Sequence, residues 1–220
     1  MQTTKQQIKT VIATLRHETK QYPPPLIDII IQEYGKMPFL ILISCLLSLR
    51  AKDVVTIHVC RTLFKKAQTP QELLAIPRAK LEKIIFKSGF YKNKSKVLHE
   101  VSTTIHEKYG DTVPRSLDRL LKIRGVGRKT ANLVLGLAYN IPAICVDTHV
   151  HRISNRLGLV ATRTPEATER ALEKILPKKH WIEWNTLLVI WGQNKCTPRA
   201  PKCAWCAVHR FCEYGRARQP

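Results

Sequence analysis

Apolar residues recur at helical spacing along the whole of this 220-residue chain, and no segment sustains the period of two that a half-buried strand requires. That regularity confines the chain to an all-α fold. Ile8, Val11, Ile12 and Leu15 set the pattern. The periodicity predicts helices near residues 4–20, 26–34, 37–50, 53–66, 70–75, 78–87, 93–109, 116–122, 128–139, 148–157, 165–176 and 181–193. Their ends carry signals. Pro23-Pro24-Pro25 cannot be helical in its middle, Thr69-Pro70 and Thr164-Pro165 place proline in a first turn after a capping threonine, and Gly35 and Gly110 follow helix ends. Without a persisting heptad, such short helices pack as a globule and not as a long coiled coil.

The charge is the unusual part of the composition. Lys plus Arg exceed Asp plus Glu by 37 − 16 = 21. A surplus of that size favours a polyanionic partner, nucleic acid first. The basic residues do not form a tail; they run through 52–66, 87–96, 115–129 and 195–218, interleaved with apolar positions, as on a charged face of a folded body. The longest apolar run, Met37 to Leu49, stops at Arg50 and is too short to cross a bilayer. The polar, charged opening MQTTKQQIKTVIATLRHETK does not read as a secretory signal. The expectation is a soluble, cytoplasmic, nucleoid-associated monomer with no membrane partner. In a reducing compartment, clustered cysteines are better explained by metal than by disulfides.

Of seven cysteines, Cys45, Cys60 and Cys145 are scattered through apolar segments and read as small buried hydrophobes. Cys196, Cys203, Cys206 and Cys212 instead form C-x6-C-x2-C-x5-C within 17 residues. Four thiolates that close can enclose one metal centre. Structural zinc is the rival to an iron-sulfur cluster; zinc sites usually pair two short knuckles and only Cys203-x2-Cys206 is of that type, so the spacing leans toward iron and sulfur. Arg199 and Lys202 sit in the loop pinned by Cys196 and Cys203, and pinned cations make good phosphate contacts because little placement entropy remains to be lost.

Leu120 to Ala131, LLKIRGVGRKTA, reads as a helix, a tight turn at Gly125-Val126-Gly127, and a second helix: a helix-hairpin-helix. Two glycines allow positive φ and strip side chains from the turn, so that backbone N–H groups and the following helix N-terminus can approach a phosphate. Arg124, Arg128 and Lys129 weigh against a merely structural turn. Lys129 falls in the first turn of the second helix, beside Arg128, a setting that suits a nucleophilic amine, which must be neutral to attack. The motif alone fits equally a lysine that only touches phosphate. Asp147, in Ile144 to Val150, opens a further helix, where capping and catalysis are compatible roles.

Taken in order, Gly125-Val126-Gly127-Arg128-Lys129-Thr130-Ala131-Asn132, Val146-Asp147-Thr148-His149 and the cysteine knot resemble the endonuclease III family of helix-hairpin-helix DNA glycosylases, from about Met37 to Tyr214. The resemblance implies two lobes: a six-helix barrel with the helix-hairpin-helix, placed at 31–141, and a lobe joining 1–30 to 142–220 around the C-terminal iron-sulfur cluster loop. It implies Lys129 as nucleophile, Asp147 as the catalytic carboxylate, and Cys196, Cys203, Cys206 and Cys212 as ligands of a [4Fe-4S] cluster. The partner it implies is double-stranded DNA carrying damaged bases or abasic sites.

Three stretches depart from the family pattern. Arg50 stands in Leu47-Ser48-Leu49-Arg50-Ala51-Lys52-Asp53 where a glutamine is common, near a flipped base. Phe90 replaces a leucine that wedges into the duplex, and Ile123-Arg124-Gly125 replaces Leu-Pro-Gly. Arg50, Phe90, Gly125, Val126, Gly127, Arg128, Arg199 and Lys202 are therefore the candidate DNA contacts. The implied activity is a bifunctional glycosylase and abasic-site lyase for oxidised pyrimidines. A monofunctional mismatch glycosylase of the same fold and a non-catalytic DNA-binding iron-sulfur protein are the alternatives.

Overall fold

The computed structural model describes residues 4–218, and among them every regular element is helical. In chain order these are α1 (Thr4–Glu18), α2 (Leu26–Tyr34), α3 (Pro38–Ser48), α4 (Asp53–Phe64), α5 (Pro70–Leu74), α6 (Arg78–Ile85), α7 (Tyr91–Tyr109), α8 (Leu117–Leu121), α9 (Arg128–Tyr139), α10 (Thr148–Arg156), α11 (Pro165–Ile175), α12 (Trp181–Asn194) and α13 (Glu213–Arg216). Short 3-10 turns intervene. No helix among the described residues is long and apolar enough to cross a membrane.

The helices fall into two compact units, Pro25–Ile141 and the remainder, up to Pro24 and from Pro142 on. In the middle unit α3 is apolar all round and buries Phe39 through Leu47, as a helix must that has no polar face. It packs against α2, α4, α7 and α9, while α8 lies on α9 and α5 and α6 lie on α7. A capping box starts α5: Thr69 accepts from the Glu72 N–H at 3.2 Å, and the Glu72 carboxylate accepts from the Thr69 N–H. Helix α2 buries Leu26, Ile27 and Ile30 and packs on α3 and α4. Residues 25–30 thus go with the middle unit, and the lobe boundary placed at 30/31 from the sequence falls inside this helix.

In the other unit Trp184 and Trp191 of α12 are fully buried. They share one core with Ile8, Val11, Ile12 and Leu15 of α1, and with Val150 and Ile153 of α10. The α1 stripe predicted from periodicity is thus the stripe that is buried. Helices α11 and α13 pack on α10. The four clustered cysteines follow α12, and Cys196, Cys206 and Cys212 lie against this same core.

Candidate active site

The hairpin between α8 and α9 is anchored by apolar side chains and leaves its tip bare. Leu120, Ile123 and Val126 are buried. Gly125 has φ +91, and a Cβ there would meet Val97 Cγ1 at 2.7 Å, so neither the backbone nor the neighbour tolerates a side chain. Gly127 differs from the expectation that both glycines supply positive φ. It caps α9 in extended conformation at φ −88, and no atom lies within 4 Å of a Cβ built on it. Open space there leaves the helix N-terminus accessible to an anion from outside. Val126 also narrows its expected role: its side chain is buried and its N–H donates to the Ile123 carbonyl at 3.0 Å, so it braces the turn. Lys129 is exposed in the first turn of α9, and Arg128 beside it is partly exposed. The lysine's charge reaches Cys45 of α3, where burial pushes the thiol up to about 12 and Lys129 pulls the other way.

Asp147, in the other unit, caps α10. Its Oδ1 accepts from the backbone N–H groups of His149 and Val150, both at 2.9 Å. Both bonds fall on one oxygen, so capping does not consume the carboxylate's second acceptor.

Cys196, Cys203, Cys206 and Cys212 line one recess, with Lys195, Lys202 and Tyr214 also on its wall. The loop is wound by successive short turns, in which the N–H groups of Cys206, His209 and Cys212 donate to the carbonyls of Cys203, Cys206 and His209. Two arginines of α10 tie it down. Arg152 donates to the Cys196 carbonyl at 2.7 Å. Arg156 donates to the carbonyls of Thr197 and Pro198 at 2.8 and 2.7 Å and to Cys196 Sγ at 3.3 Å. Arg156 also stacks on Tyr214, 4.4 Å from its ring centroid. Burial pushes the Cys206 thiol up to about 11, with the neighbouring thiols adding to the rise, so this sulfur ionises readily only beside a compensating cation. Among the described residues no three His, Cys, Asp or Glu side chains converge closely enough to hold a single metal ion. Arg199 and Lys202 are both exposed on this loop.

Arg50 and Phe90 come together in the middle unit. The Arg50 guanidinium lies 5.7 Å from the Phe90 ring centroid, and both line one recess with Leu46, Leu49, Asn93, Lys94 and Val97. Phe90 is 62% exposed. The periodicity placed a helix start near residue 93; α7 begins at Tyr91, with Phe90 as its cap at φ +50. Arg152, Arg156 and Lys94 were not singled out from the sequence. The helical i, i+4 spacing of the two arginines next to a cysteine knot is the one signal that could have marked them.

Comparison with known proteins agrees with this architecture. Residues 43–178 match the model of the HhH-GPD superfamily of base excision DNA repair proteins. The chain is 48% identical over 181 residues to an endonuclease III of Thermotoga maritima, covering 82% of this chain and 85% of that one. Among solved structures it is similar to a non-covalent endonuclease III–DNA complex, with a TM-score of 0.81 and 33% identity over 96% of this chain and 97% of that one. It is also similar to a trapped covalent endonuclease III–DNA intermediate, with a TM-score of 0.78 and 34% identity over 87% and 94% of the two chains. The chain belongs to the endonuclease III family of the HhH-GPD superfamily.

Proposed function

We propose that the chain is a bifunctional DNA glycosylase and abasic-site lyase of base excision repair, acting on duplex DNA with oxidised pyrimidines or abasic sites. The observation that carries this reading is the exposed residue Lys129 in the first turn of α9, a helix that opens directly after a glycine whose missing side chain leaves open space. In support of it, a helix N-terminus next to such an amine is a group that can hold a phosphate backbone.

The target carbon is hidden inside a duplex, so the damaged nucleotide must first leave the stack, at a cost of a few kcal/mol that is least for damaged pairs. The Lys129 Nζ lone pair then attacks C1′ and the base departs with the electrons of its glycosidic bond. Ring opening gives an imine between Nζ and C1′. The imine acidifies the C2′ proton; its removal expels the 3′ phosphate by β-elimination, and water releases the lysine. Asp147 stabilises positive charge developing on the sugar and assists proton transfer. Gly125, Gly127 and Arg128 hold the phosphate backbone, Val126 braces the turn, Arg50 and Phe90 enter the duplex, and Arg199 and Lys202 contact further phosphates.

Cys196, Cys203, Cys206 and Cys212 would hold a [4Fe-4S] cluster. Held there, those four cysteines would fix the loop that carries Arg199 and Lys202. No step of the base chemistry needs the cluster.

Borohydride reduces an imine to a stable amine, so it should link the protein covalently to a duplex containing an abasic site. Lys129→Gln should abolish both the link and strand cleavage. A Lys129→Gln protein that still traps would remove the lysine from the mechanism, and base release without any trapping by the parent protein would make the enzyme monofunctional.

A further inference from the structure

Lys94 stands on α7 with only 6% of its surface exposed, and its Nζ donates to two backbone carbonyls, Leu47 O at 2.7 Å and Ser88 O at 2.8 Å. Burying an ammonium is costly, and an apolar side chain of similar length would fill the same space more cheaply. What the ammonium adds is a tie between two chain segments distant in sequence. Leu47 lies in the last turn of α3, where carbonyls lack helical partners, three residues before Arg50. Ser88 lies two residues before Phe90. Both segments then turn left-handed, at φ +55 for Arg50 and φ +50 for Phe90, a conformation uncommon for side-chain-bearing residues. The two strained positions deliver a guanidinium and an exposed ring to the same place, one over the other.

We propose that Lys94 is a positioning residue for damage recognition: by joining the Leu47 and Ser88 carbonyls it holds Arg50 and Phe90 as one preassembled wedge that enters the duplex where a nucleotide has been turned out. This rests on the reading of Arg50 and Phe90 as duplex contacts. The physical gain is preorganisation. A stacking ring and a hydrogen-bonding cation already fixed in their bound arrangement lose little freedom when they replace a missing base. Stacking is sequence-tolerant, so the wedge suits recognition of a gap in the stack.

The test uses the full protein and duplexes with a tetrahydrofuran abasic analogue opposite 2-aminopurine, whose fluorescence reports its unstacking. Two quantities are read: the ratio of affinities for the abasic and the intact duplex, and the fluorescence change on binding. Lys94→Met should lower the ratio by on the order of 10-fold, since small misplacement of recognition groups is expensive, and shrink the fluorescence change. Lys94→Gln, which keeps a buried donor, serves if the methionine variant does not fold. In a Phe90→Ala, Arg50→Ala background the same Lys94 change should cost less than about 2-fold, because residues acting through one another are not additive. An equal loss in both backgrounds makes Lys94 a general core residue and overturns the proposal. If Phe90→Ala and Arg50→Ala leave the ratio intact, the duplex-contact reading itself falls. If they lower it and Lys94→Met does not, that reading stands and the Lys94 proposal falls.

Discussion

Gly125 and Gly127 stand two positions apart in the hairpin and are glycines for different reasons. Gly125 answers to the protein, through φ +91 and the 2.7 Å approach of Val97 to a would-be Cβ. Gly127 has φ −88 and nothing within 4 Å, so no demand of the fold excludes a side chain. In the proposed reading the demand comes from the duplex, whose phosphate the turn would approach. Gly125→Ala should therefore cost about 1–3 kcal/mol of stability, seen as a fall in Tm of several degrees. Gly127→Ala, at the N-cap of α9, should cost about 1 kcal/mol or less and at most a few degrees of Tm, while weakening duplex binding by roughly 10-fold, since a methyl group stands between the amides and a phosphate. Binding by Gly127→Ala equal to that of the parent protein would remove the turn from the DNA contact surface.

At the level of elements, what the sequence makes legible is whatever local chemistry decides. The α1 stripe, the Thr69 cap and the glycine stop after α7 each depend on residues within a turn or two of one another, and the structure holds them where the pattern puts them. The short turns between Cys203 and Phe211, and helix α13, carry too few residues for any periodicity; they exist because the core under Cys206 and Cys212 and the hold of Arg156 close the loop. Lys94 was invisible for a similar reason. Among the lysines of α7 nothing nearby in sequence distinguishes the one whose partners, Leu47 and Ser88, lie on other segments. The pairing of α1 with α12 is another contact made only by folding. Arg16 donates two bonds to the Glu183 carboxylate, each at 2.7 Å, and His180 meets the same group. Burial tends to raise the pKa of Glu183, but Arg16 and His180 outweigh it and hold the carboxyl below its ordinary value of 4.5. A depressed acid stabilises the fold above its unfolded value and loses that contribution as pH falls through the folded one. The Tm difference between the parent protein and Glu183→Gln should thus be largest above about pH 4.5 and close under stronger acid. Its size should be modest, about 1 kcal/mol or less, because the pair is partly exposed. A difference that grows on acidification would contradict the assignment.

For the whole molecule the dominant quantity is the formal charge of +21. It draws the protein to any duplex, damaged or not, and most of that attraction comes from release of counterions from phosphates. Damage recognition must then be a small, salt-insensitive difference laid over a large, salt-sensitive sum. The groups proposed here divide along that line. Arg199 and Lys202 sit exposed on the cysteine loop, suited to phosphates, whereas Phe90 offers a ring and Lys129 a nucleophile. Plotting log affinity against log salt for each variant separates the two kinds. Arg199→Ala and Lys202→Ala should each reduce the slope by about 1 and weaken binding to intact and abasic duplexes alike. Phe90→Ala should leave the slope unchanged and lower only the affinity for the abasic duplex, by a factor set by a stacking term of about 1–3 kcal/mol. A slope untouched by both loop substitutions would mean that the cysteine loop does not reach the DNA, and the large positive charge would then have to act through 52–66, 87–96 and 115–129 alone.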